Sequence, residues 1–286
     1  MTAEEKQRAA RFLDTVSDYT QTGYALPKPT YHFTTDTLPP AAVARPAEAV
    51  PAQADDAWMP EWHLPEWEVE KGLRALAEEI SVCRKCPLAA GRKNTVPGEG
   101  STRPAAMVIG EGPGAGEDES GRPFVGPAGQ LLDKMLALVG LERRKNCFIA
   151  NVVKCRPPGN RNPEPLEINT CMPFLRRQIE LLRPHAILAA GNVPAGALLG
   201  TTEGITRLHG RWNEWQCASG KKIPVLPTFH PSYLLRNDSQ KPDAFEDFIK
   251  LSRRLQTLDA AYDRSTIELR KNYDKHLSVL RKTYQK

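Results

Sequence analysis

The amino-acid sequence predicts an α/β fold with three layers, α/β/α, around a central, mostly parallel four-stranded sheet. Short apolar runs, which are typical of buried strands, alternate along the chain with segments whose apolar residues recur at helical spacing. Such alternation favours a parallel sheet covered by helices on both faces. The 286 residues are 40% hydrophobic and 26% charged, which is enough apolar material for one sizeable core. No apolar run approaches the roughly 18 residues that a membrane span needs.

The first 70 residues differ in composition from the rest and predict an acidic, Pro-rich extension. Residues 4–18 have the apolar spacing of a short amphipathic helix, and eight prolines between residues 24 and 65 predict an extended or disordered linker. Three tryptophans near its end indicate either a strap packed on the following domain or a docking site for a protein partner. They are Trp58, Trp62 and Trp67.

The strands and helices of the core follow this extension in order. Four apolar runs predict strands, at residues 105–112, 147–155, 185–192 and 221–231. Helical spacing predicts the helices, at residues 68–80, 127–140, 166–184, 193–200 and 243–258. Basic residues at helical spacing after residue 261 predict an appended helix. The expected organisation is therefore an extension over 1–70, one domain over 71–260 and a basic helical tail over 261–286.

Parallel strands bring their carboxyl ends to one edge of the sheet, and ligands of such sheets bind there. The segments that follow the four predicted strands should therefore converge. These segments begin after Ile109, Val153, Ala190 and Phe229.

The segment after the first strand begins like a dinucleotide-binding loop, with Gly110 and Gly112. Two features argue against that interpretation. Pro113 and the acidic run at residues 117–119 lie where a pyrophosphate needs free backbone amides, and the next helix is expected only near Pro127. A carboxylate-rich loop repels phosphate, but it can orient water.

The six cysteines indicate a metal centre rather than a disulfide framework, because a chain of this size without a secretory signal is expected inside the cell. Cys83 and Cys86 form a CxxC pair, Cys155 ends a strand, and Cys171 lies on the next helix. Four thiolates suit either a 4Fe-4S cluster or a zinc ion. Pro87 and the wide spacing of the second pair favour the cluster. The other two, Cys147 and Cys217, are interpreted as small buried hydrophobes.

The distribution of charge indicates a polyanionic partner. Residues 1–70 carry a net charge of −7, and residues 71–286 carry +12. A basic domain of this kind attracts nucleic acid, although the same surplus also suits an ordinary solvated surface. The choice between these two interpretations depends on motifs.

Four motifs resemble one enzyme family. The residues GEGPGAGED, GRPFVGPAG, NVVKCRPPGNRNP and FHPSYLLRN, together with the four cysteines, closely resemble family-four uracil-DNA glycosylases, the iron-sulfur branch of that superfamily. The resemblance extends from about residue 78 to about residue 258. It implies an enzyme that hydrolyses the N-glycosidic bond of uracil in DNA during base-excision repair. It also implies a 4Fe-4S cluster held by Cys83, Cys86, Cys155 and Cys171.

The resemblance also implies roles for residues of the pocket. Phe124 would stack on the flipped uracil, and the carboxamide of Asn151 would match uracil O4 and N3–H. Glu117 would lie near C5 of the base and exclude the methyl group of thymine. Glu111 would position water and support the cationic sugar, and His230 would donate a hydrogen bond to uracil O2 as that oxygen gains charge.

A second group of residues, which follows His230, is expected to contact the DNA. Ser232 and Arg236 would contact phosphates, and either Leu234 or Leu235 would fill the gap left by the flipped nucleotide. The loop at residues 160–167 lacks the His of a related branch that captures the sugar covalently, so ordinary turnover is expected. His209 is interpreted as a structural residue.

Two alternatives to the glycosylase remain on the sequence evidence. One is a non-enzymatic nucleic-acid-binding module with a four-Cys zinc or iron-sulfur site, and the other is an iron-sulfur electron carrier. For the glycosylase, the expected partner is uracil-containing DNA, single- or double-stranded, with no membrane association and with a protein partner possible through the extension. The expected state is a monomer in the cytoplasm.

Overall fold

The structure is a computed structural model, and it describes residues 63–284. Its centre is a six-stranded sheet with the order β1-β3-β2-β4-β6-β5. The strands are β1 (Glu99–Gly100), β2 (Ala106–Gly110), β3 (Cys147–Asn151), β4 (Ala186–Ala190), β5 (Asn213–Gln216) and β6 (Lys222–Thr228).

The four central strands are parallel, as the sequence predicts. β2 pairs with β3 and β4, and β4 pairs with β6. Every residue of β2, β3 and β4 is buried, which explains why these strands are continuous apolar runs. The predicted strand count of four is wrong, because β1 and β5 add one antiparallel strand at each edge.

Helices cover both faces of the sheet. Their bounds are α1 (Glu66–Ser81), α2 (Leu88–Gly91), α3 (Ala115–Ser120), α4 (Pro127–Leu138), α5 (Pro165–Leu182), α6 (Asn192–Leu199), α7 (Ile205–Leu208), α8 (Pro231–Leu234), α9 (Lys241–Leu258), α10 (Ala260–Arg270) and α11 (Tyr273–Tyr284). Two short 3-10 turns lie at Pro158–Asn160 and Asp238–Gln240.

Alternation along β2 assigns its side chains to two apolar clusters. Met107 and Ile109 pack on one face with residues of α1, α5 and α6, whereas Ala106 and Val108 pack on the other face with residues of α4 and α9. The three-layer α/β/α architecture is thereby confirmed. None of the helices in the described part of the chain has the length and apolar content that a bilayer-spanning segment requires.

Some sequence-based expectations concern segments at the ends of the chain. The predicted helix at 4–18, the linker, Trp58 and Trp62 lie outside the described residues. Trp67 lies in the first turn of α1 and is 65% exposed. The basic tail forms two helices, α10 and α11, rather than one, and both pack on the second apolar cluster through Tyr262, Tyr273 and Leu280.

Candidate active site

The predicted convergence at the carboxyl edge of the sheet is confirmed. Gly110 ends β2 and is paired in register with Asn151, which ends β3. His230 follows β6 by two residues, and its Cβ lies only 3.2 Å from the position that a Cβ on Gly191 would take. The loops after four parallel strands therefore meet around one concave site.

Gly110 lets an amide and an aromatic ring approach each other closely. A Cβ on Gly110 would lie 2.5 Å from both Asn151 Oδ1 and Phe124 Cζ, which is closer than real Cβ contacts allow. The ring of Phe124 lies 5.6 Å from the ring of His230, centroid to centroid. The sequence-predicted residues Phe124, Asn151 and His230 are thus neighbours, although they are far apart in the chain.

Asn151 carries an acceptor without a protein donor. The residue is 2% exposed, and its Oδ1 is buried with no hydrogen-bond partner within residues 63–284. An unsatisfied buried acceptor costs about 1–3 kcal/mol, so folded proteins retain such groups mainly where a ligand will pair with them. The carboxamide is therefore available to a ligand that offers an N–H donor.

His230 is held as a neutral hydrogen-bond donor. Its Nδ1 accepts the backbone N–H of Ser232 at 3.1 Å and lies 2.7 Å from Ser232 Oγ, so the ring proton of the neutral form belongs on Nε2. Burial, aided by the nearby charge of Arg236, lowers the pKa of His230 to about 4. At neutral pH the Nε2–H can thus donate to a ligand without bringing a positive charge into the pocket.

Glu117 binds the backbone of its own loop. Its Oε2 accepts the N–H of Gly114 at 3.0 Å, and its Oε1 accepts the N–H groups of Val125 and Gly126 at 2.9 and 3.1 Å. The acidic run was expected to be a loop, but it forms α3, and Glu117 caps that helix. The carboxylate fixes the chain directly after Phe124, while its expected place near C5 of a base stays a prediction.

Phe124 has a left-handed backbone conformation, with φ of +52°, which is uncommon for a bulky residue. Arg143 holds this conformation by donating to the carbonyl of Pro123 at 2.7 Å and to that of Phe124 at 3.0 Å. Gly129 allows it, because a Cβ there would lie 1.8 Å from the Phe124 carbonyl oxygen. Sequence reasoning missed Arg143, since no motif marks an arginine that acts on a loop 20 residues away.

Glu111 lies next to Gly110 in the half-buried rim of the site. Its backbone carbonyl accepts the N–H of Val153 at 3.1 Å, which fixes the loop against the end of β3. Burial raises the pKa of its carboxyl group above the ordinary value. A partly desolvated carboxylate at this edge is suited to binding water or a developing cation.

In the segment after His230, the two candidate leucines differ in burial. Leu234 is 0% exposed and belongs to the second apolar cluster, which favours Leu235 of the two candidates, and the insertion itself stays a prediction. A side chain that fills the core cannot leave it without opening a cavity. Leu235 is half-buried at the surface, and Arg236 is exposed. Ser232 turns its amide and hydroxyl toward His230, so its expected phosphate contact stays a prediction.

The four predicted ligand cysteines line one cavity. Arg92 Nη1 donates to Cys155 Sγ at 3.2 Å, and the backbone N–H of Lys154 points to Cys171 Sγ at 3.3 Å. Burial raises the pKa of Cys171 to about 11. Within the described residues no three His, Cys, Asp or Glu side chains are grouped closely enough to hold a single metal ion.

The other two cysteines, Cys147 and Cys217, are buried and apolar in their surroundings, as expected. His209 Nδ1 lies 3.3 Å from Asp247 Oδ2, and its ring packs on Phe229 with centroids 4.5 Å apart. Asp247 also accepts the hydroxyl of Thr228 at 2.9 Å. These contacts give His209 a place in the packing below the site.

Lys154 is a second residue that sequence reasoning missed. It is 1% exposed, and its Nζ donates at 2.7 Å to both the Asn151 carbonyl and Gln178 Oε1. Burial lowers its pKa to about 8. Lys154, which precedes Cys155, thereby links the end of β3 at Asn151 to Gln178 on α5. A lone lysine between two apolar residues gives no sequence signal for such a role.

Comparison with known proteins gives one consistent family. The family model described as the uracil DNA glycosylase superfamily matches residues 97–253. A type-4 uracil-DNA glycosylase of Saccharolobus solfataricus is 42% identical over 196 residues, which are 67% of this chain and 90% of that protein. Another of Pyrobaculum aerophilum is 44% identical over 179 residues (61% and 90%), and one of Thermotoga maritima is 45% identical over 173 residues (60% and 88%).

Proposed function

Because the chain belongs to the uracil-DNA glycosylase superfamily, we propose that it hydrolyses the N-glycosidic bond of uracil in DNA and leaves an abasic site for base-excision repair. The observation that carries this proposal is the meeting of three different groups in one pocket. They are an aromatic ring on Phe124, an unpaired buried acceptor on Asn151 and a neutral donor on His230. A flipped uracil needs a stacking surface, a reader of its edge and a donor for its leaving oxygen.

Asn151 reads the edge of the base. Uracil offers a donor at N3–H and an acceptor at O4, so the Asn151 carboxamide can accept from one and donate to the other. Cytosine presents an acceptor at N3 and a donor at N4, and it leaves both amide groups mismatched. The unpaired Oδ1 supports this role, because it is satisfied only when a base with an N–H arrives.

Bond cleavage produces an anionic uracil and a cationic sugar, and one residue stabilises each of them. As the bond between C1′ and N1 breaks, electron density moves onto uracil, and the Nε2–H of His230 donates to O2 of the departing anion. The sugar becomes cationic, and the Glu111 carboxylate stabilises it and orients the attacking water. Water supplies the hydroxyl group at C1′, and its proton ends on the uracil or in solvent.

The segment after His230 handles the DNA around the flipped nucleotide. Leu235 is the side chain that we propose fills the gap in the base stack, since Leu234 is part of the core. Arg236, which is exposed, would bind a backbone phosphate, and Ser232 would add a further contact. We further propose that the protein acts as a monomer inside the cell, and that residues 1–70 form an extension able to bind a partner protein.

Cys83, Cys86, Cys155 and Cys171 fit a 4Fe-4S cluster. All four line one cavity, and three cations, Lys85, Arg92 and Lys154, line it as well and would offset thiolate charge. Zinc requires sulfurs within about 4 Å of one another, because each Zn–S bond is about 2.3 Å. Pro87 after the CxxC pair and the wide spacing of Cys155 and Cys171 support the cluster over zinc. When bound, the cluster supplies a covalent cross-link between the segment before β1 and the core.

The proposed activity is tested with an oligonucleotide that carries one uracil. Incubation with the protein, followed by alkaline cleavage of abasic sites, should cut the uracil strand and leave matched strands with cytosine or thymine intact. Asn151→Ala should abolish most cleavage, and Asn151→Asp should weaken discrimination against cytosine. An unsubstituted protein that binds the oligonucleotide but leaves no alkali-labile site would contradict the proposal.

A further inference from the structure

The last helix of the described chain, α11, contacts the 3-10 turn that follows Leu235 and Arg236. This helix lies outside residues 97–253, where the family model matches. It packs along α9 and reaches the 3-10 turn Asp238–Gln240, which begins two residues after Arg236. The contact therefore joins a part of the chain beyond the family match to the turn that directly follows the proposed DNA-inserting segment.

A charged and aromatic relay makes this contact. Lys241 Nζ lies 2.7 Å from Asp238 Oδ1 and 5.3 Å from the centroid of the Tyr284 ring. Lys241 is largely buried while Asp238 is exposed, so the lysine ammonium lies between the surface carboxylate and the face of the Tyr284 ring. Lys241 thereby fixes Asp238, which is the first residue of the turn.

The rest of the tail is anchored firmly enough to support that turn. The Tyr262 hydroxyl donates to the Val139 carbonyl and lies 2.8 Å from Ser252 Oγ, and the Tyr273 hydroxyl lies 2.8 Å from the same Ser252 oxygen. Arg281 adds an ion pair with Glu246 of α9 at 2.5 Å. Tyr284 is therefore presented by a helix that is fixed to the core along its length.

We propose that α11 is a brace for the DNA-inserting segment, and that Tyr284, through Lys241 and Asp238, is a positioning residue for uracil removal from double-stranded DNA. This inference rests on the proposed function. In a duplex, Leu235 must hold a gap open against restacking, and a turn that yields would let it withdraw. In a single strand no paired base stack has to be opened, so excision there should not depend on the brace.

The test compares two substrates on the same protein. Single-turnover excision is measured with one uracil oligonucleotide, alone and annealed to its complement. Tyr284→Leu keeps an apolar side chain but removes the ring face, and it should lower excision from the duplex about fivefold while excision from the single strand stays unchanged. Tyr284→Phe keeps the ring and is the matched control, with the parent ratio of duplex to single-strand rates.

A second variant covers the case in which Tyr284→Leu does not fold. Asp238→Asn removes the exposed end of the relay and should lower the duplex rate in the same direction, by about twofold. Equal losses on both substrates, or an unchanged ratio in both variants, would overturn the inference. If the unsubstituted protein excised uracil from neither substrate, the proposed function itself would fail, and the inference with it.

Discussion

The base pocket and the cysteine cavity lie at the two ends of the short segment from Asn151 to Cys155 that follows β3, yet they are held in different ways. In the pocket, Glu117 accepts three backbone N–H groups, and Arg143 donates to two backbone carbonyls, so the protein itself fixes the position of Phe124. In the cavity, the thiols of Cys155 and Cys171 meet only one N–H donor each among the described hydrogen bonds.

This difference indicates that protein groups alone hold the pocket, whereas the cavity would be held by the proposed metal centre. The pocket residues are already held in place, and the buried Asn151 Oδ1, which has no partner among the described residues, is the atom that we propose reads the base. The cavity gathers four thiols whose buried members resist ionisation, since burial raises the pKa values of Cys155 and Cys171. The proposed 4Fe-4S cluster would turn those thiols into ligands and the cavity into a cross-link. Four experiments test this contrast.

The largest effect is expected from His230→Ala. An oxyanion donor is commonly worth about 100- to 1,000-fold in rate, so single-turnover excision should fall in that range. Binding to uracil-containing DNA, measured on the same preparation, should stay near the parent value, because the donor acts mainly in the transition state. The visible absorbance of the cluster should not change. A loss confined to binding would make His230 a docking residue.

Cys155→Ala should act on stability rather than on chemistry. Loss of one ligand should give colourless protein that unfolds at a lower temperature and is poorly soluble, because the segment before β1 is no longer tied to the core. Cys147→Ala is the matched control, since Cys147 is buried but lines no cavity with the other thiols. A colourless Cys155→Ala protein with full stability and activity would refute a structural role for the cluster.

Arg143→Met should disturb the pocket and leave the cysteine cavity intact. Without its donors, Phe124 is free to leave the left-handed conformation, and excision should slow about 10-fold with unchanged visible absorbance. Arg144→Met, at the exposed neighbouring position, is the control and should behave like the parent. Equal rates for both variants would mean that Glu117 and Gly129 hold Phe124 without Arg143.

The smallest effect is a change in the shape of the pH profile. Burial raises the pKa of Glu111, and its carboxylate form is the active one, so the rate should be lost as pH falls through a midpoint above the ordinary 4.5. His230 contributes no loss in that range, because its pKa is about 4 and it stays neutral above that value. Glu111→Gln should be slower but flat down to about pH 4. An unchanged midpoint in this variant would assign the titration to another group.

The sequence predicted the parts of the fold that follow from continuous burial. β2, β3, β4 and β6 are apolar runs, and their carboxyl ends locate the site. β1 has only two residues, and β5 has one buried side chain, Trp215, so neither gives an alternating pattern. Such edge strands form because a neighbouring strand offers unpaired backbone groups. Their formation depends on tertiary structure and not on a local sequence pattern.

The site was predictable where a residue acts through its own side chain in a motif. Phe124, Asn151 and His230 do meet, and only their distances come from the structure. Arg143 and Lys154 act on backbone carbonyls of other segments, and no local pattern encodes that. Leu234 and Leu235 could not be distinguished from the sequence either, because two adjacent leucines differ only in which one faces the core.

The hydrogen bond from the Tyr262 hydroxyl to the Val139 carbonyl has a consequence for biosynthesis. The two residues are 123 positions apart, and the tyrosine is translated second. At roughly 5–20 residues per second, the carbonyl waits about 6–25 s after translation before its partner exists. During that interval the face of α4 that Tyr262 later covers is open to solvent and to other nascent chains. Chaperone binding to ribosome-bound intermediates should therefore be strongest on chains that stop before residue 262, and it should weaken once the tail has emerged.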